Sequence, residues 1–290
     1  MLLLLFCVYL CSSFAVLAQL EDNLVSDQFQ DAETDSDRKL PDAIIIGVKK
    51  GGTRALLEFL RLNPAVKAPG PEVHFFDRHF ERGWEWYRRQ MPLTRRGQIT
   101  IEKTPSYFVT KPAPERVYKM NPRVKLIVVV RDPVTRAVSD YTQTSSKRPG
   151  MPSFEEMAFN SSAGTVNTSW GAVKIGLYHR HTKRWLKYFP LSQIHFVNGE
   201  RLISDPAGEI NEVEQFLNLR PTVGRDKFTF DPIKGFPCLV RGADSTPHCL
   251  GKTKGRTHPT VASEALDRLR AFYLTHNDKF YRLIGQNFHW

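Results

Sequence analysis

The sequence predicts an α/β domain with a central, mostly parallel sheet flanked by helices, and three observations carry that expectation. Four apolar, β-rich runs, 43–48, 98–101, 125–130 and 193–197, are separated by segments of helical periodicity. That alternation builds a parallel sheet covered on both faces. The first run passes through a basic glycine turn straight into an amphipathic helix. With 290 residues, 41% of them hydrophobic, the chain can bury one large core.

The elements follow in order. Residues 1–18 form an uncharged apolar run ending in Val16-Leu17-Ala18, small residues of the kind a signal peptidase prefers, so the segment reads as a signal peptide or an uncleaved signal anchor. Residues 19–39 are polar, acidic and poor in large apolar side chains, as in a flexible stem. The folded domain is expected over 40–290. Its first helix, from Thr53, carries Leu56, Leu57, Phe59 and Leu60 at core spacing and stops at Asn63, before Pro64. Asp132 and Pro133 stand where an N-cap and a first helical residue belong, so a helix follows the strand 125–130. Residues 177–188, 210–217 and 261–280 also read as helices. The stretch 145–168 reads as loop, and no internal repeat is present.

The formal charge of +11 points to a polyanionic partner, and nucleic acid, acidic lipid and sulfated polysaccharide all satisfy it. Cys7 and Cys11 lie in the leader, which leaves Cys238 and Cys249 for the mature chain. An oxidising lumen lets these two pair; in a reducing compartment they would be two buried thiols. Asn160 and Asn167 open acceptor sequons for glycosylation.

The turn after the first strand, Gly47-Val48-Lys49-Lys50-Gly51-Gly52-Thr53-Arg54, is suited to an anion. Adjacent glycines let the backbone approach closely, the helix from Thr53 offers unpaired N–H groups and its positive dipole end, and two lysines and an arginine supply countercharge. Gly47 and Gly52 have the spacing of the ATP-binding pattern G-x-x-x-x-G-K-[ST], but Thr53 and Arg54 follow. The phosphate-binding lysine therefore precedes the glycines and the Mg2+-binding hydroxyl is missing, which argues against a kinase and for a phosphate-bearing donor used without a metal. A sulfonyl group, less charged than a phosphoryl group, fits such a site.

Other constellations have both a chemical and a bland reading. Glu72, His74 and Asp77 fall within six residues, and extended backbone puts Glu72 and His74 on one face, where Glu72 could act as general base to a hydroxyl. The same residues could be a solvated strand edge. Arg131 ends the most hydrophobic strand, at the sheet edge where open α/β folds bind ligands, with Ser139 and Gln143 sharing a face of the next helix. Arg131 and Ser139 could clasp a second phosphate, or merely cap the sheet and sit in a helix. The basic turn 252–259 is a further anion contact or a solvated loop. Lys103 ends the second strand facing the same cleft. Trp84, Trp86, Trp170 and Trp185 could stack on sugars, with core packing the default.

From residue 42 to the C-terminus the chain resembles the heparan sulfate glucosamine 3-O-sulfotransferases. The resemblance rests on Gly47 to Arg54, His74-Phe75-Phe76-Asp77, Glu102-Lys103-Thr104-Pro105-Ser106-Tyr107-Phe108, Arg131-Asp132-Pro133 with Ser139 to Gln143, Lys234 to Leu239, and Lys254-Gly255-Arg256-Thr257-His258-Pro259. It implies a P-loop-like sulfotransferase fold and transfer of a sulfonyl group from 3'-phosphoadenosine 5'-phosphosulfate to the 3-hydroxyl of glucosamine in heparan sulfate, in the Golgi lumen, without a metal or nucleic acid. Membrane contact is expected only through an N-terminal anchor. By that resemblance Lys50, Gly51, Gly52, Thr53 and Arg54 hold the 5'-phosphosulfate, Arg131 and Ser139 the 3'-phosphate, and Lys254, Gly255, Arg256, Thr257 and His258 close over the donor. Glu72 is the implied base, with Lys50 on the sulfonyl group and His74 and Asp77 orienting. Lys103, Thr104, Pro105, Ser106, Gln143 and Arg256 are implied acceptor contacts. Ser204 to Glu209, Cys249 to Lys252 and the small residues Gly70 and Gly251 are similar to the subgroup that makes the 3-O-sulfated sequence through which herpesvirus enters cells. The rival readings are a secreted heparin-binding module without catalysis and a heparan sulfate sulfotransferase acting at another position.

Overall fold

The computed structural model describes residues 36–161, 164–240, 246–251 and 257–290. The expected leader, most of the stem, and Lys254, Gly255 and Arg256 of the basic turn lie outside the described residues. In chain order the elements begin with β1 (Asp37–Arg38), β2 (Ala43–Gly47), α1 (Thr53–Leu60), β3 (Val66–Lys67), α2 (Phe75–Arg78), α3 (Gly83–Arg89) and β4 (Leu93–Thr94). The middle of the chain contributes β5 (Ile99–Lys103), α4 (Ala113–Met120), β6 (Lys125–Val130), α5 (Pro133–Ser145), α6 (Phe154–Ala158), α7 (Gly171–Ile175), α8 (Tyr178–Trp185) and β7 (Ile194–Asn198). α9 (Arg201–Ser204), α10 (Pro206–Phe216), β8 (Phe228–Asp231), β9 (Phe236–Leu239) and α11 (Ser263–Ile284) complete it.

The central sheet has five parallel strands in the order β3-β5-β2-β6-β7, as the alternating sequence predicts. All five residues of β2 are buried, and its side chains alternate between two cores. Ile44 and Ile46 pack with Phe75, Tyr107 and Trp185, whereas Ala43 and Ile45 pack with the α1 leucines and Phe59. A strand covered on both faces reads as a continuous apolar run because each successive side chain enters one core or the other. Asp132 caps α5 as expected, its carboxylate accepting from the amides of Val134 at 3.1 Å and Thr135 at 3.3 Å.

β5 ends at Lys103 as expected, two residues beyond the apolar run, because Ile44 and Ile45 of β2 pair with Glu102 and Lys103. The parallel ladder continues through both charged residues. Several elements depart from expectation. The edge strand β3, the antiparallel β1–β4 pair and the β8–β9 hairpin are too short to show a period in sequence. Within 145–168, Ser153 and Glu156 form a capping box that starts α6. Trp185 is core and donates its indole N–H to the Phe108 carbonyl at 3.1 Å, and Trp170 packs on Tyr141 and Phe154. Trp86 is half-buried against Phe75, and Trp84 meets the same ring but is exposed. Cys238 and Cys249 form a disulfide that ties β9 to the segment before the basic turn. No described helix is long and apolar enough to cross a membrane.

Candidate active site

The carboxyl ends of β2, β5 and β6 open on one cleft of about 1150 Å³. Its lining includes Lys49 to Arg54, Glu72, His74, Lys103, Arg131, Ser139, Gln143 and His258. The anion turn is folded by one bond to the neighbouring strand and one within itself: the Val48 amide donates to Val129 O at 3.0 Å and the Gly51 amide to Val48 O at 3.0 Å. Glycine is needed twice. A Cβ on Gly51 would overlap the Val129 carbonyl oxygen, and Gly52 sits at φ 115°. Gly52 is the N-cap of α1 and no side chain caps this helix, which leaves its first amides for an anion in the cleft. Arg54 bonds the Gly70 carbonyl at 3.1 Å and Glu58 at 2.9 Å, joining the helix to the loop before Glu72.

Beneath the turn lies a buried ion cluster that the sequence did not disclose. Arg136 is fully buried, donates to Lys49 O at 3.2 Å and to Asp140 at 3.0 Å, and also bonds Ala172 O. The other Asp140 oxygen meets Lys49 Nζ at 2.7 Å. Burial raises the pKa of Asp140, but Arg136 and Lys49 outweigh it and hold the carboxyl below its ordinary value. A helix-interior arginine and aspartate four residues apart look like a solvated pair in sequence; only their packing under the turn makes them its support.

Glu72 faces the anion turn across the cleft. One carboxylate oxygen is 2.5 Å from Lys103 Nζ and the other 3.4 Å from His74 Nε2. His74 Nδ1 lies 3.0 Å from Asp77, which also accepts from Ser106 Oγ at 2.6 Å. His74 stands beside Glu72 as the sequence suggested, but by a different backbone, and Lys103 completes the bracket. His74 is not extended: it sits at φ 54° as the N-cap of α2, so a turn rather than strand alternation brings the two side chains together.

The acceptor contacts need correction. Lys103, Pro105, Ser106 and Gln143 line the cleft, but Thr104 is fully buried and donates to Glu102 at 2.5 Å, which removes it from any surface a substrate can reach. Asp77 likewise acts on His74 and Ser106 and does not line the cleft. None of the four candidate tryptophans lines it.

At the β6 end, Arg131 is held by Glu200, whose carboxylate is 3.8 Å from its Nε and accepts the Asp132 amide at 3.0 Å. The Arg131 carbonyl accepts from Tyr178 at 2.7 Å. His258 approaches the same region. Burial, with Arg131 and Lys50 nearby, lowers its pKa, so the imidazole is neutral at neutral pH. Thr257 is exposed outside the lining. Of the two sequons, Asn160 is exposed and bonds Thr165 at 3.0 Å. Asn167 is half-buried, its oxygen accepting from Ser169 and Trp170.

A strand, anion turn and helix at the carboxyl edge of a five-stranded parallel sheet, facing a lysine-paired carboxylate, define a class: the chain matches the sulfotransferase domain family over residues 40–280. A sulfotransferase from Alicyclobacillus acidocaldarius shares the fold, with a TM-score of 0.65 at 21% identity over 86% of this chain and 97% of that one. Among curated proteins, the chain is 60% identical over 255 residues to heparan sulfate glucosamine 3-O-sulfotransferase 3B1 of Mus musculus, covering 87% of this chain and 65% of that one. It is 59% identical over 254 residues to heparan sulfate glucosamine 3-O-sulfotransferase 6 of Homo sapiens, covering 87% and 74%. The chain belongs to the heparan sulfate glucosamine 3-O-sulfotransferase family, and it spans 65% of the length of the 3B1 relative.

Proposed function

We propose that this protein transfers a sulfonyl group from 3'-phosphoadenosine 5'-phosphosulfate to the 3-hydroxyl of glucosamine in heparan sulfate, with Glu72 as general base. The observation that carries the reading is Glu72, held between Lys103 at 2.5 Å and His74 at 3.4 Å, in the same cleft as the Lys50 to Arg54 turn. Lys50, Gly51, Gly52, Thr53 and Arg54 hold the 5'-phosphosulfate on backbone amides and cations. Arg131 and Ser139 take the 3'-phosphate, and the turn carrying Lys254, Gly255, Arg256, Thr257 and His258 covers the donor. Lys103, Gln143 and Arg256 meet acidic groups of the acceptor.

Glu72 receives the proton of the acceptor 3-hydroxyl as that oxygen bonds to sulfur, and the bond from sulfur to the 5'-phosphate oxygen breaks with its electron pair left on the phosphate. Lys50 neutralises charge growing on that leaving oxygen. Lys103 and His74 keep the Glu72 carboxylate aimed, and Asp77 holds the His74 ring. The Cys238–Cys249 disulfide supports folding in an oxidising compartment, consistent with work in the Golgi lumen. The high identity to relatives 3B1 and 6 favours the subgroup read from Gly70 and Gly251, both of which leave open space at their Cβ positions.

The test supplies the labelled donor and heparan sulfate, with a chelator present, and maps the product disaccharides. Glucosamine 3-O-sulfation by the wild type and a loss of about a hundredfold or more in kcat for Glu72→Gln are expected. Heparin binding with no transfer by the wild type would instead leave a binding module, and sulfation at another position would reassign the acceptor.

A further inference from the structure

The mechanism leaves one buried acid unused. Glu102 is 0% exposed, inside a parallel sheet, directly before Lys103. A lone carboxylate in that position is costly unless its oxygens are satisfied. Two hydroxyls donate to it, Thr104 Oγ at 2.5 Å and Tyr87 OH at 3.3 Å, and the backbone amide of Val73 faces it.

These partners are not scattered. Val73 is the residue between Glu72 and His74. Thr104, having donated its proton to Glu102, presents its lone pairs to the His74 amide at 3.3 Å. The Phe75 amide donates to Tyr107 OH at 2.8 Å, and the Phe76 amide reaches the same oxygen. The backbone from Val73 to Phe76 thus faces side chains of one short stretch, Glu102 to Tyr107, which hold the His74 and Phe75 amides by hydrogen bonds. Within that span His74 takes its left-handed conformation at φ 54°, one that an L side chain rarely adopts without outside support.

We propose that Glu102, together with Thr104 and Tyr107, is the positioning template for the base: it grips the backbone on either side of His74 and so sets where Glu72 and the imidazole point. The inference rests on the Glu72 reading above and extends it to a residue that touches neither substrate. The same stretch supplies Lys103 to Glu72 from one side and the amide grips from the other. A shift of Glu102 therefore moves both partners of the base at once.

Glu102 is poised to titrate. Burial pushes its carboxyl up to about 7, against the pull of the bonds from Thr104 and Val73, the Lys103 charge and the Tyr87 bond. Besides Lys103, the phenols of Tyr87 and Tyr107 face it, and burial together with the Glu102 charge raises the pKa of both. The carboxylate accepts from Thr104 and Tyr87 with its full charge, whereas the protonated acid accepts more weakly and sets an O–H of its own among groups that donate to it. The template is complete only in the ionised form.

The experiment compares the full chain, Glu102→Gln and Tyr107→Phe by sulfonyl transfer across pH, alongside binding of the donor product 3'-phosphoadenosine 5'-phosphate. Glutamine imitates the protonated acid. For Glu102→Gln we expect kcat to fall about tenfold to a hundredfold, KM for the polysaccharide and Kd for the nucleotide to stay within about twofold, and the rise in wild-type kcat centred near pH 7 to disappear. Tyr107→Phe, which removes the acceptor of the Phe75 amide without changing charge, should lower kcat and keep that rise. If Glu102→Gln matches the wild type in kcat and pH profile, or loses activity while keeping the rise, the template is refuted. If Glu102→Gln does not fold, Tyr107→Phe with wild-type kcat refutes it instead. Glu72→Gln is run in parallel. A wild type that transfers but is indifferent to Glu72→Gln overturns the base and the template with it, whereas loss in Glu72→Gln with no effect of Glu102→Gln overturns the template alone.

Discussion

Asp140→Asn isolates the support beneath the donor turn. The substitution keeps the shape of the side chain and removes the charge that neutralises Arg136, whose side chain is 0% exposed, and Lys49. Removing one partner of a buried pair costs about 3–5 kcal/mol, because the remaining charge stays buried and uncompensated. Arg136 retains its bonds to the Lys49 and Ala172 carbonyls, which places the loss at the low end, about 3 kcal/mol. For a domain of this size that is a fall in Tm of about 6 to 12 °C. Calorimetric melts at neutral pH measure it, and the double variant Arg136→Met with Asp140→Leu should recover most of the loss by replacing the pair with apolar contacts. The sign with pH also follows. The Asp140 carboxyl is held below its ordinary value, so its contribution is fully present above the unfolded pKa near 3.8 and is lost as pH falls through the depressed folded value. The Tm difference between wild type and Asp140→Asn is therefore constant through the neutral range and shrinks only in acid. A drop of less than about 2 °C at neutral pH would show that the cluster carries no net stability and refute the reasoning.

Gly51→Ala forces a methyl onto the Val129 carbonyl, so the nucleotide product should bind at least about tenfold more weakly by calorimetric titration; unchanged affinity would mean the turn yields without cost. Cys238→Ser and Cys249→Ser, together, should lose roughly 2 to 3 kcal/mol in denaturant midpoints, and a stability equal to wild type would count against the bridge as a constraint. Burial raises the Glu209 carboxyl to about 7, against the pull of the Asn198 amide and Arg201. A carboxyl raised in the folded state binds more protons folded than unfolded, so its contribution is present below the unfolded value near 4.5 and is lost as pH rises toward about 7. Wild-type Tm should decline over that interval and Glu209→Gln should flatten part of the decline; parallel curves would exclude Glu209 as its source.

The donor half of the cleft was legible because it is local. A strand, a glycine pair and a helix start lie within a dozen residues, and each leaves a short-range signature in apolar runs, small residues and caps. The base half was legible only as composition. Glu72, His74 and Asp77 stand close in sequence, but the strand geometry expected to join Glu72 to His74 was wrong, since the left-handed turn at His74 depends on amide partners about thirty residues away. Thr104 was misassigned to the acceptor for the same reason: its motif carries two buried polar side chains in a row, and only the packing at the end of β5 turns Lys103 into the cleft and Thr104 onto Glu102.

By itself the sequence determined the α/β class, the parallel sheet, the anion turn with its departure from the ATP-binding pattern, and the helix that Asp132 starts. These follow from periodicity and backbone stereochemistry, which act over a few residues. Only the tertiary structure decided that Lys103 pairs with Glu72, that Glu200 holds Arg131, that Arg136 and Asp140 brace the turn, and that a buried Glu102 grips the backbone of the base. Whether a charged side chain is solvated or paired depends on burial and on which distant groups the packing brings within about 3 Å of it, and no local pattern encodes that.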